Sequence, residues 1–436
     1  MNFSYIINLG KSQVMRHLTL VFTGNVTAAA LGFLAILLIS RKLTISDFGL
    51  FNIAISITLI ASCISNLGID TVMVRFASFY LYEKKKNEAT QVLKVTLLIK
   101  VIIGSFLCGI LFFSANFLST KVFHLPGLTP LIKLAAFGGL SISLLNYLKS
   151  SLYVYQLFKK SIILQLFVDF SKLLIVMILI FSFKMNVFTA VAAFVFTPLL
   201  GVTLGFKQIL RPFTSEKKPI TNLVRQLLSY SKWVFVSSTC KLIFPYIGLF
   251  MIAKLLNSEA AGIYGLALHL TYIFPIIIYS LQSVLLPRVS NFRDTTQFQK
   301  YIKDSLKISF YAGLSIIPII FFSRKLILVF FGVQYLDSVS IFKWLLASNM
   351  IFTISSIIHM PLHSMNKPHL IAIVDVVGIA VVALGCYSLI PVFGVLAPAV
   401  VVFIINVCIL VFYSIYILKR INNGTLIYQD RALIDL

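Results

Sequence analysis

Apolar stretches close to the roughly 20 residues that a helix needs to cross a bilayer recur along almost the whole chain. Twelve can be drawn, at 18–39, 48–70, 95–118, 131–153, 162–183, 187–206, 233–256, 262–285, 306–323, 341–365, 369–390 and 394–417. Those at 306–323 and 341–365 are the most interrupted by polar residues. The chain is therefore read as an all-α polytopic membrane protein of about 12 transmembrane helices. Its composition agrees: 59% hydrophobic and 11% charged residues, with a mean hydropathy of +0.99, where soluble domains are about half apolar and a quarter charged. The first 17 residues are mixed in character and carry Lys11 and Arg16. The apolar run after them is long enough to span and to stay, so no cleavable signal peptide is expected.

The formal charge is +24. In a soluble chain that excess would suggest nucleic acid, but here Lys and Arg fall in short clusters between spans, and a membrane explains them better. With both termini cytoplasmic, 25 of the 37 basic residues lie in inner segments, 9 in outer segments and 3 (Lys100, Lys172 and Lys241) within spans. That bias follows the positive-inside rule and favours an even number of spans.

The chain also repeats itself at about half its length. The turn Lys42-Leu43-Thr44-Ile45-Ser46-Asp47-Phe48-Gly49-Leu50-Phe51 is echoed, with one inserted residue, by Lys254-Leu255-Leu256-Asn257-Ser258-Glu259-Ala260-Ala261-Gly262-Ile263-Tyr264. Arg75 and Phe79 match Arg288 and Phe292 at the offset of Gly49 and Gly262. Two six-helix halves in the same orientation would produce this pattern, a signature of transporters that hold substrate between their repeats. The expected division is 1–206 for the first bundle, 207–230 for a basic cytoplasmic linker containing Pro212 and Pro219, and 231–436 for the second bundle.

Other chemistry is excluded or weak. Cys63, Cys108, Cys240, Cys386 and Cys408 are odd in number and lie in apolar stretches without zinc spacing, so they read as small apolar fillers. No GxxxxGK[ST] loop or HExxH motif occurs, so ATP is not expected as the direct energy source and no cofactor is expected. His359 and His363 are four apart but have Pro361 between them and no acidic or cysteine ligand nearby in sequence. Hydrogen bonding between helices suits them better than a metal.

Gly24, Ala28 and Gly32, followed by Ser40-Arg41-Lys42-Leu43, Asp47-Phe48-Gly49-Leu50-Phe51, Leu67-Gly68 and Val74-Arg75-Phe76, resemble the opening of polysaccharide-export flippases. These form the Wzx-type branch of the multidrug/oligosaccharidyl-lipid/polysaccharide (MOP) superfamily. The motif is concentrated in residues 24–80, while length and repeated halves agree over the whole chain. The resemblance implies a MATE-like fold of two pseudo-symmetric six-helix bundles around a V-shaped central cavity, working by alternating access. It implies an undecaprenyl pyrophosphate-linked oligosaccharide as substrate, for O-antigen or another surface polysaccharide, in the bacterial inner membrane. Membrane lipids, polysaccharide polymerase machinery and a coupling ion, H+ or Na+, are the partners to consider.

A pyrophosphate crossing lipid calls for cations inside the spans, and each costs roughly 2.5–3.5 kcal/mol there unless it faces a cavity or a partner. Lys241, with Ser237, Ser238 and Pro245 at helical spacing, either pairs with the pyrophosphate or snorkels to the headgroups. Gln165, Asp169 and Lys172 share one stripe. They form a structural ion pair, or Asp169 is an ion-coupling site and Lys172 lines the cavity. Arg75 and Arg288 correspond through the repeat and either flank an inner mouth or act as ordinary anchors, with Asn66 and Asp70 placed to orient Arg75. Asn25 projects beside a small-residue ridge that suits close helix packing, and it is a candidate to bond sugar hydroxyls in the cavity. His269, Tyr272 and Tyr279 line one face and suit packing or sugar stacking. Lys100 reads as snorkelling to the cytoplasmic headgroups.

Three other readings compete with a flippase. A drug or cation antiporter of the same superfamily would need buried carboxylates, and Asp169 and Asp375 are the main ones within the spans. A glycan polymerase or ligase would be expected to carry a sizeable outer domain, whereas the larger polar segments here, 75–94, 207–230 and 286–305, face inward. A membrane scaffold accounts for neither the repeat nor the buried charges.

Overall fold

The computed structural model describes residues 13–205, 221–271, 274, 316–359, 362 and 368–422. Among the described residues all regular structure is helical. The helices are α1 (Gln13–Lys42), α2 (Ile45–Asn66), α3 (Ile69–Tyr82), α4 (Lys86–Phe117), α5 (Thr129–Val154), α6 (Phe158–Phe181), α7 (Val187–Leu204), α8 (Thr221–Leu255), α9 (Ser258–Thr271), α10 (residues 316–331), α11 (Ser338–His359), α12 (Pro368–Phe393) and α13 (Ala397–Asn422). Nine helical stretches among the described residues are long and apolar enough to span a bilayer, the last of them, Leu370–Lys419, running through both α12 and α13. Large apolar side chains stand on the outside, Phe113 at 86% exposure and Phe321 at 81%. Water would not tolerate an apolar surface of that kind, whereas lipid is its natural solvent. The chain is a polytopic all-α membrane protein.

Span ends depart from hydropathy where charges intervene. The expected stretch 48–70 ends close to α2, which stops at Asn66, whereas α10 runs past the expected end at 323 through the exposed Arg324 and Lys325. A charge ends a hydropathy window, but it does not end a hydrogen-bonded helix that continues into the headgroup layer. Residues 221–230, placed in the linker, are the helical start of α8.

By contact the chain divides into two compact units, Met1–Leu242 and Ile243–Leu436. In the first, α2 opens on Thr44, whose hydroxyl accepts the Asp47 N–H at 3.1 Å. It ends on Leu67 and Gly68, both left-handed at φ 47° and 70°. Two such residues in succession break the helix and re-aim the chain. Gly68 adopts this conformation freely, while Leu67 does so at a cost of roughly 1–3 kcal/mol. Asn66 Oδ1 accepts the Asp70 N–H at 3.2 Å across the break. Beyond it, α3 buries Val72, Met73 and Ala77 against Val92 and Leu93 of α4 and Tyr147 and Leu148 of α5.

Helix α5 runs through the middle of this unit because its small residues let neighbours close in. A Cβ on Gly139 would lie 2.6 Å from Ala61 Cβ of α2, and one on Gly138 would lie 2.6 Å from Thr58 Cγ2 and 2.8 Å from Val195 Cγ2 of α7. Ser141 Oγ donates to Val195 O at 2.8 Å, and the Tyr147 hydroxyl donates to Leu93 O at 3.0 Å. Gly24 of α1 presses on Ile162 of α6, whereas the space around Gly32 is open. The expected small-residue ridge is thus a packing surface at its first position, where Gly24 meets α6.

In the second unit α9 opens as α2 does. Asn257 Oδ1 accepts the Ala260 N–H at 2.8 Å, the same third-residue cap that Thr44 gives Asp47. The echoed sequence turn therefore has an echoed geometry. Ser338 Oγ donates to Ile263 O at 2.8 Å, joining the start of α11 to α9. Helices α11 and α13 meet through Trp344 and Phe403, centroids 5.2 Å apart, and through Asn406 Nδ2, which donates to Ser348 Oγ at 2.8 Å.

Candidate functional site

The Met1–Leu242 unit carries charged groups deep within its spans, in two arrangements. The first is a closed pair. Lys100 of α4 has no exposed surface, and its Nζ lies 2.7 Å from Asp70 Oδ1 of α3, itself 14% exposed. Lys100 also donates to the Ser143 carbonyl of α5 at 3.3 Å. Lys100 therefore does not snorkel. The helix break at Leu67–Gly68 delivers Asp70 to it, and an ion partner inside the bundle replaces the long reach to the headgroups. Asn66 accepts the Asp70 N–H across the helix break, and Asp70 balances Lys100.

The second arrangement is a ladder. Lys149 of α5 donates to Gln165 Oε1 of α6 at 2.7 Å. Gln165 Nε2 donates in turn to Asp169 Oδ2, and Lys172 Nζ donates to Asp169 Oδ1 at 2.8 Å. Lys172 also sits 4.8 Å from the ring centroid of Phe194 on α7, a cation–π contact strengthened by exclusion of water. The spacing of four and three along α6 puts Gln165, Asp169 and Lys172 on one face, and the crossing of α5 brings Lys149 to its end. At 1.5 Å per residue, Lys149 lies about 8 Å inside the end of α5 at Val154, while Gln165, Asp169 and Lys172 lie about 10, 16 and 21 Å from the start of α6 at Phe158. Polar groups thus climb from near the α5–α6 turn to past the midpoint of α6.

The remaining candidates are placed as follows. Lys241 is partly exposed on α8, two residues beyond Thr239, whose Oγ1 lies 3.8 Å from Cys63 Sγ of α2. Ser238 Oγ donates to Phe235 O at 3.1 Å, and Pro245 lies within the same helix. Arg75 is exposed on α3, and Asn25 is exposed on α1. Arg288, Tyr272, Tyr279 and His363 lie outside the described residues, while the described His269 is on α9. His359 is buried, with Nδ1 2.8 Å from Ser355 O and its ring 5.0 Å from that of Tyr413 on α13. Among the described residues no three His, Cys, Asp or Glu side chains gather as a metal site would require. Of the candidates, then, the structure brings Asp169 and Lys172 together and adds Lys149, which the charge count assigns to an inner segment. Its position four residues inside the apolar stretch 131–153 is the signal that marks it as intramembrane.

The fold is one seen before. A multidrug resistance MATE family transporter of the MOP superfamily, in an inward-facing conformation, superposes with a TM-score of 0.77 at 12% identity, covering 91% of this chain and 94% of that one. The lipid II flippase MurJ, in an inward closed conformation, gives 0.72 at 15% identity over 92% and 87%. These likenesses define a polytopic membrane protein with the MOP-superfamily fold. The sequence places it more closely: residues 14–293 match the model of the family described as Polysaccharide biosynthesis protein, and the chain belongs to that family. A Haloferax volcanii protein described as a low-salt glycan biosynthesis flippase, Agl15, is 26% identical over 194 residues, 43% of this chain and 40% of that protein. A Shigella flexneri protein described as an O-antigen transporter is 20% identical over 178 residues, 40% of this chain and 43% of its own length. The matched region spans less than half of either relative.

Proposed function

We propose that this protein is a non-enzymatic flippase that moves a lipid-linked oligosaccharide from the cytoplasmic to the outer leaflet. The finer reading is an undecaprenyl pyrophosphate-linked repeat unit, carried by alternating access across a bacterial inner membrane for O-antigen or another surface polysaccharide. Both termini are cytoplasmic in this reading. The observation that carries it is the family match over residues 14–293 in a chain whose described spans hold Lys100 and Lys172 as ion partners of Asp70 and Asp169. The names of the two relatives point the same way.

The sign of the cargo follows from the charge balance. A cation carrier needs carboxylates able to meet its substrate. Both Asp70 and Asp169 are already engaged by lysines, and Asp375 on α12 is the further in-span candidate. An anionic phosphate instead matches the basic groups. In this reading Lys241, Arg75, Arg288 and Asn25 contact phosphate or sugar. Lys172 joins them only when Asp169 releases it, so in this reading Asp169 is the coupling residue, with H+ or Na+ as the coupling ion.

Loss of the gene in its host tests the reading. Lipid-linked repeat units should accumulate on the cytoplasmic face and surface polysaccharide should fall. Units that reach the outer face normally but fail to lengthen would assign the protein to polymerisation and overturn the flippase.

A further inference from the structure

Lys100 of α4, Lys149 of α5 and Lys172 of α6 all meet partners on or across these helices, and they are not equivalent. Lys100 has Asp70 at 2.7 Å and Lys172 has Asp169 at 2.8 Å. Lys149 has the neutral amide oxygen of Gln165 at 2.7 Å. Gln165 turns its nitrogen toward Asp169 and so stands between the Lys149 ammonium and the nearest carboxylate of the ladder. The group as a whole holds three ammonium ions against two carboxylates, and the surplus charge resides at Lys149. An amide oxygen compensates an ammonium less than an anion does, so Lys149 keeps the capacity to bind one. Unlike Lys100, it is also partly exposed.

We propose that Lys149 is the first phosphate contact for the lipid-linked substrate, with Gln165 as the residue that presents it. This rests on the flippase reading and on the orientation that the basic residues give the chain, which puts the α5–α6 turn at the cytoplasmic side. The arriving phosphate replaces Gln165 Oε1 as the partner of the ammonium, while Gln165 keeps its hydrogen bond to Asp169. The next cation, Lys172, lies two helical turns, about 10 Å, deeper along α6. Lys149 thus loads the ladder, and Lys172 receives the phosphate once Asp169 lets go.

The test uses the purified full chain in neutral detergent, with farnesyl diphosphate as the probe and both affinity and unliganded melting temperature as readouts. The unsubstituted protein should bind the probe. Lys149→Gln should weaken binding about tenfold, the loss of one charge-assisted contact. Gln165→Glu should do the same by neutralising Lys149 in place, and it keeps the assignment testable if Lys149→Gln folds poorly. Lys149→Arg should stay within about threefold, because it retains the charge. Phosphatidylglycerol at equal concentration should leave the bound probe in place. Unchanged affinity in both neutralising variants would overturn the role of Lys149 and leave the flippase reading intact. Equal displacement by phosphatidylglycerol would make the site an ordinary headgroup contact and also overturn it. Absence of binding by the unsubstituted chain would remove the pyrophosphate substrate itself, and this assignment with it.

Discussion

Lys100→Ala is expected to destabilise the protein by about 3–5 kcal/mol, the usual cost of leaving one partner of a buried ion pair alone. Lys100 is fully enclosed and Asp70 nearly so, so neither headgroups nor bulk water can take over the lost interaction. The carboxylate would be stranded at the start of α3, where the left-handed Leu67 and Gly68 already strain the chain. Asp70→Ala should be at least as damaging, because the stranded group is then an ammonium with no exposed surface. The double substitution Asp70→Leu with Lys100→Met should recover most of the loss, since removing both charges also removes their desolvation cost. Unfolding in mixed detergent–SDS micelles measures all four proteins. Full stability of Lys100→Ala would mean that the pair does not hold the α3–α4 contact.

Asp169→Asn is expected to cut glycan export by on the order of tenfold or more, the scale of a coupling free energy between sites, while the protein still folds and inserts. Asparagine keeps the shape of aspartate without its charge: it can still accept from Lys172 but no longer holds it in an ion pair. Lys172 would then remain committed to the phosphate and release would slow. A purely structural pair makes the opposite forecast. In that case Asp169→Asn combined with Lys172→Met should restore export, because no charge is left unbalanced. Export measured in cells for the single and double variants, with membrane abundance as control, separates the two. Recovery by the double variant would reduce Asp169 to a brace.

Among the described residues sequence located the spans well, because hydropathy reports what lipid can solvate; most of the expected span 262–285 and the start of 306–323 lie outside the described residues. Sequence located an end poorly where Arg324 and Lys325 interrupt an apolar window without interrupting a helix. The stripe of Gln165, Asp169 and Lys172 was legible because a helix converts spacings of three and four into one face. The Lys100–Asp70 pair was not, since its members are thirty residues apart and their meeting depends on a helix break and on which face of α4 turns to α3. Lys149 was hidden for a similar reason. Its partner lies across the α5–α6 turn, and a basic residue near a span end is indistinguishable in sequence from an interfacial anchor. The caps of Thr44 and Asn257 show the reverse case, where a weak sequence echo became a shared geometry.

The most direct measurement is flipping by the purified protein in liposomes loaded with a lipid-linked oligosaccharide. Sugar on the outer leaflet would be scored by an added lectin that cannot enter. The account predicts that the protein speeds the movement of glycan between leaflets and that Lys241→Ala slows it without loss of reconstituted protein. Glycan crossing no faster than in protein-free liposomes would contradict it.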